Sequence, residues 1–63
     1  MNIKGYRASK KLTQEDAAAL IGKKRNSYLL KENGKRDFSL EEGMILSRAF
    51  GITIEEFYRA TKE

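Results

Sequence analysis

A chain of 63 residues without cysteine or histidine has no disulfide framework and no thiolate metal site, and it lacks the commonest metal ligand and general base. So short a chain buries only about 60% of its unfolded surface, which leaves a small core and no room for a deep pocket beside a second domain. Residues 1–63 are therefore read as a single domain. The N-terminus has no signal-like apolar stretch and no run approaches the roughly 20 apolar residues of a membrane span, so a soluble, cytoplasmic protein is expected.

The net charge of +4 is unevenly distributed. Met1 to Arg36 holds ten Lys/Arg and three acids, a net of +7, whereas Asp37 to Glu63 holds three and six, a net of −3. Positive charge gathered in one half suits a face for a polyanion better than it suits general solubility.

The first helix is expected from about Asn2 to Lys10, with Ile3, Tyr6 and Arg7 facing inward. Thr13 opens the second: its hydroxyl stands three residues before Asp16, close to a capping box, and Glu15 favours the first turn. Ala17, Ala18, Leu20 and Ile21 form the apolar side of that helix, and Gly22 stops it. The third runs from Arg25 to Glu32 and ends at Asn33-Gly34, both tolerant of a left-handed turn. Ser39 with Glu42, and Thr53 with Glu56, are full S/T-x-x-E boxes that open the fourth and fifth helices, and Gly51 after Phe50 separates them. Leu40, Met44, Leu46, Phe50, Ile52, Ile54 and Phe57 are expected to supply the core. Period-2 alternation is nowhere sustained. An all-α bundle follows, built of helices too short to persist without one another.

One local feature runs against ordinary helix chemistry. Lys23, Lys24 and Arg25 stand at the positive end of the third helix's dipole, which costs a few tenths to about 1 kcal/mol. The second and third helices also carry Ala18, then Gly22, then Tyr28 at the spacing of a helix-turn-helix. The small alanine permits a close crossing, the glycine takes the turn, and the tyrosine plugs the gap. An ordinary αα-corner meets the same spacing.

The flanks add specificity. "LTQEDAAALIG", "ENGKR" nine residues later and then "SLEEGMILSRAFGITIEEF" resemble the phage repressor/Cro-type helix-turn-helix family of bacterial transcriptional regulators, the xenobiotic response element family. The resemblance runs from about Ile3 to Phe57. It implies a compact five-helix bundle of the lambda-repressor-like DNA-binding type, with helices 2 and 3 forming the helix-turn-helix and helix 3 entering the major groove by its N-terminal residues. Cations at its start then face phosphates and bases, so their cost in the free protein is offset in the complex. On this resemblance Arg25 and Asn26 read bases, by the pairing of Arg with guanine and of Asn with adenine. Ser27 reaches a base or a phosphate, and Leu30 a thymine methyl. Lys23 and Lys24 contact phosphates, as does Gln14 at the start of helix 2. Asn33, Lys35 and Arg36 anchor the backbone beyond helix 3 without reading sequence. Arg7 and Glu32 match a structural ion pair tying helix 1 to the end of helix 3.

Several residues depart from the family pattern. Lys11 stands where glycine is usual after helix 1. Lys23 and Lys31 replace commonly apolar residues, Leu29 and Leu30 commonly polar ones, and Phe38 a frequent proline, where it can cover the loop against the core. The leucines open a rival reading: an antitoxin- or antirepressor-like module that grips a protein through Tyr28, Leu29 and Leu30. RNA binding lacks a stacked aromatic platform, and catalysis lacks its usual side chains.

The expectation is a non-enzymatic, sequence-specific binder of double-stranded DNA, a repressor or Cro-like switch regulator of phage type. It would hold a palindromic operator as a weak dimer strengthened on DNA, its half-sites about one helical turn apart. With the whole chain in one domain, the dimer contact is expected at the end of helix 4 and helix 5, through Tyr58 and Arg59. No metal, cofactor, small-molecule ligand or membrane is expected.

Overall fold

Helix starts divide into two kinds in the computed structural model, which describes residues 1–63. The chain forms α1 (Ile3–Ser9), α2 (Gln14–Leu20), α3 (Arg25–Glu32), α4 (Leu40–Phe50) and α5 (Ile54–Ala60), with no strand. Asn2 Oδ1 accepts from Gly5 N at 2.9 Å and caps α1. Thr13, Ser39 and Thr53 cap α2, α4 and α5, and each box is closed by its third residue, Asp16, Glu42 or Glu56, accepting from the cap's own N–H at 2.9 Å. These bonds satisfy N–H groups that a helix start otherwise leaves free. At α3 the cap position is Lys24, and no side chain bonds the first turn.

The first four helices end alike, while α5 ends on Thr61 in ordinary right-handed backbone. Lys11, Gly22, Gly34 and Gly51 all have left-handed backbone, with φ of 59°, 66°, 79° and 70°. The N–H of the following residue reaches back five positions: Leu12 to Arg7, Lys23 to Ala18, Lys35 to Leu30 and Ile52 to Ser47. That closure turns the chain sharply and satisfies an end carbonyl. Three of the four left-handed residues are glycine; Lys11 is not, and its Cβ makes the conformation unfavourable.

The core is Ile3, Ala17, Ala18, Ile21, Tyr28, Phe38, Leu46, Phe50, Phe57 and Ala60. Ala17 and Ala18 are almost wholly buried, so α2 lies close against α3, and α4 packs mainly on α5. Phe38, in the α3–α4 loop, joins the two pairs. Its ring centroid is 6.0 Å from that of Tyr28 and 5.1 Å from that of Phe57, the latter edge-to-face. Such aromatic pairs add about 0.5–1.5 kcal/mol beyond their buried area.

Three expected core residues lie outside it. Leu40 is 67% exposed, Met44 43% and Leu20 45%. On α4 the buried stripe consists of Glu42, Gly43, Leu46, Ser47 and Phe50. Leu40 and Met44 fall on the opposite side at helical spacing. Leu20 closes α2 on its outer side, while Ile21, one residue later, turns inward. Tyr6, Ile52 and Ile54 are half-buried. Gly43 has a packing reason: a Cβ there would fall 2.5 Å from the Tyr58 hydroxyl.

Candidate nucleic-acid interface

The α2–α3 corner is built from the sequence elements that suggested it. Ile21 ends α2, Gly22 makes the left-handed turn, and Lys23 N donates to Ala18 O at 2.9 Å. Tyr28 is fully buried beneath the corner. With Tyr28 turned inward, the first turn of α3 faces outward. Lys23, Lys24, Arg25 and Asn26 are exposed and Ser27 is half-buried. None of these five side chains takes part in an ion pair or hydrogen bond. Next to them are free backbone N–H groups, because α3 has no side-chain cap. Unpaired cations and unpaired N–H donors therefore converge at one helix start, an arrangement suited to anions. Asn33, Lys35 and Arg36, just past the other end of α3, are likewise exposed.

Beneath this surface Glu32 holds three elements together. Arg7 Nε donates to its Oε1 at 2.8 Å, the Tyr28 hydroxyl donates to the same oxygen at 2.7 Å, and Gln14 Nε2 donates to Oε2 at 3.3 Å. Arg7 also donates to the Leu12 carbonyl at 2.8 Å. Burial by itself would raise the Glu32 carboxyl, but the hydrogen bonds from Arg7, Tyr28 and Gln14 hold it below the ordinary carboxylate range. The Tyr28 hydroxyl is pushed well above the ordinary phenol value, first by burial and then by Glu32. α1, α2 and α3 are thereby fixed relative to one another by one buried carboxylate. The Gln14 amide, a candidate phosphate contact, is turned toward this carboxylate. The N–H groups of Gln14 and Glu15 at the start of α2 have no intrahelical partner.

Two readings from sequence need correction. Tyr28 is no part of a surface grip, because it is wholly buried and bonded to Glu32. The leucine pair also splits: Leu29 is half-buried and Leu30 is 41% exposed. Tyr58 is committed within the molecule as well, its hydroxyl donating to Ser39 O at 2.7 Å, whereas Arg59 is exposed.

One feature near the site was not foreseen. Lys31 Nζ bonds Glu42, joining α3 to the start of α4. The available signal was a cation at an inward-facing position of α3, which requires a carboxylate on whichever helix packs there.

No helix is long and apolar enough to cross a membrane. The chain matches the helix-turn-helix family model over residues 3–57. It is 39% identical over 56 residues to an uncharacterized HTH-type transcriptional regulator of Methanocaldococcus jannaschii, covering 89% of this chain and 85% of that protein. A second uncharacterized HTH-type transcriptional regulator, from Archaeoglobus fulgidus, is 34% identical over 56 residues, covering 89% and 79%. Both relatives are archaeal, so the match does not carry the bacterial or phage setting that the sequence resemblance implied. The breadth of the family match and the helical corner it spans agree, and the chain belongs to the Cro/C1-type helix-turn-helix family.

Proposed function

We propose that this protein is a transcriptional regulator that binds double-stranded DNA with α3 in the major groove. The observation that carries this reading is the start of α3: the one helix start without a side-chain cap is also the one flanked by Lys23, Lys24 and Arg25. A free protein gains nothing from that combination, whereas a phosphate backbone supplies the missing anions. Membership of the helix-turn-helix family, and relatives named as HTH-type transcriptional regulators, support the same class.

Within this reading Arg25 and Asn26 are the base readers, since Arg matches guanine O6/N7 and Asn matches adenine N6/N7. Ser27 and Leu30 complete the reading face. Lys23 and Lys24 meet phosphates at one end of α3, and Asn33, Lys35 and Arg36 do so at the other. The free N–H groups of Gln14 and Glu15 at the start of α2 hold a phosphate on the neighbouring stretch. The regulator acts as a repressor or Cro-like switch on a palindromic operator, bound as a dimer whose half-sites lie about one helical turn apart.

The deciding experiment selects bound fragments from random duplex DNA at near-physiological salt and then titrates salt against the winning site. An enriched palindrome with a steep salt dependence is expected. Failure to retain any duplex even in dilute buffer would overturn the reading and turn attention to Leu30 as a protein contact.

A further inference from the structure

The outer face of α4 carries three exposed apolar side chains that neither the core nor the proposed DNA surface uses. Leu40, Met44 and Ile45 are 67%, 43% and 37% exposed. Glu41 and Arg48, also exposed, share that face and form no ion pair within the molecule. At 3.6 residues per turn, Glu41 and Arg48 lie two turns apart on one stripe. Met44 lies to one side of the stripe midway along it, and Ile45 to the other.

This arrangement has a symmetry of its own. Glu41 is three residues before Met44, and Arg48 is three after Ile45. A two-fold axis level with the Met44–Ile45 peptide lays α4 antiparallel on a copy of itself. It sets Glu41 against Arg48 of the partner subunit, and Arg48 against Glu41 of the partner subunit. The same axis packs Met44 on the partner's Met44 and Ile45 on the partner's Ile45, with Leu40 flanking the contact. A face that is charge-complementary to its own inverted image is the requirement for an isologous dimer.

We infer that the outer face of α4 is a homodimer surface, formed by Leu40, Met44 and Ile45 and registered by reciprocal Glu41–Arg48 pairs between two copies of this chain. The site is distinct from Tyr58 and Arg59 on α5, the residues suggested by sequence. Its small extent makes the free dimer weak, in the range of transient contacts. The assignment deepens the reading of this protein as a paired operator binder. It is tested without DNA, so its failure leaves the DNA-binding experiment to stand or fall by its own result.

Sedimentation equilibrium of the full chain should show a concentration-dependent monomer–dimer balance. Glu41→Arg and Arg48→Glu each place like charges opposite one another twice over, and each should weaken the dimer roughly tenfold. The combined Glu41→Arg/Arg48→Glu exchange restores opposite charges and should return the affinity close to that of the parent chain. Circular dichroism of each variant checks that α4 is intact. Because the chain has no cysteine, Ile45→Cys offers an independent readout: mild oxidation should give a disulfide-linked dimer, whereas Arg59→Cys should not. A chain that stays monomeric up to millimolar concentration overturns the proposal. A dimer indifferent to the single exchanges, or not recovered by the double one, does so too. So does crosslinking through Arg59→Cys in preference to Ile45→Cys.

Discussion

The ammonium of Lys31 lies 2.7 Å from both carboxylate oxygens of Glu42, with the two side chains only 13% and 8% exposed. The same carboxylate accepts from Ser39 N at 2.9 Å, so one group caps α4 and anchors α3. Burial tends to raise the Glu42 carboxyl, while Lys31 and the Ser39 N–H hold it below the ordinary range. Lys31→Met should leave a buried carboxylate unpaired and cost about 2–3 kcal/mol in urea unfolding. Adding Glu42→Gln keeps the cap and removes the orphan charge, so the double variant should recover most of that loss.

Acid should unfold the protein through its buried carboxylates. Glu32 and Glu42 both have folded values below the ordinary glutamate value of 4.5. A depressed folded value means that the unfolded state takes up protons first. The stabilisation is therefore complete above pH 4.5 and is lost as pH falls through the folded values. Melting temperature measured from about pH 7 to about pH 3 should fall on the acid side. Glu32→Gln should lower stability by about 3 kcal/mol at neutral pH, by stranding Arg7, and should make the acid limb shallower. An acid limb equally steep in that variant would assign the effect to other groups.

Lys11 holds left-handed backbone at φ 59° to let Leu12 close the end of α1. Lys11→Gly removes the Cβ conflict, at some cost in unfolded-chain entropy. The net gain should be about 0.5–1 kcal/mol. In a domain of this size that corresponds to a rise of several degrees in Tm, readable by calorimetry.

Arg25 and Lys35 should separate reading from anchoring. Arg25→Ala is expected to cost about 1–3 kcal/mol at one base pair and to relax the preference there. Lys35→Ala should weaken all sequences nearly alike and flatten the salt slope by about one unit. Competition binding among single-base variants of the selected site distinguishes the two. An unchanged preference in Arg25→Ala would remove that residue from the reading set.

Lys24→Ser tests the uncapped start of α3. A serine there can accept from the first turn and should stabilise the free protein by about 1 kcal/mol. DNA affinity should fall at the same time, because a cation is lost and an N–H donor is already satisfied. A variant that gains stability with no loss of affinity would separate the bare helix start from binding.

Helix boundaries were legible because capping is local. Thr13 with Asp16, Ser39 with Glu42 and Thr53 with Glu56 need only residues three apart, and the observed helices start where those boxes stand. The α2–α3 corner was legible for the same reason, its Ala18, Gly22 and Tyr28 lying within one short stretch. Orientation was harder. α4 carries apolar residues on two faces, and helical spacing alone cannot say which face meets the core. Leu40 and Met44 therefore read as core and are not. The Lys31–Glu42 pair joins residues eleven apart on different helices, so it depends on a packing that no local pattern encodes. Tyr28 illustrates the limit from the other side: its spacing marked it as a plug, yet its neighbours Leu29 and Leu30 drew it into a surface reading that its burial excludes.

The brevity of the helices also bears on how this protein can be regulated. The longest has 11 residues and three have 7, below the length at which isolated helices hold together in water. Phe38 and Glu32 tie them into one cooperative body, so α3 has no shape of its own to keep. A protease nick anywhere in the α3–α4 loop would cut α3 from the packing that shapes it, and a cell could silence such a regulator by cleavage without any dedicated off-state.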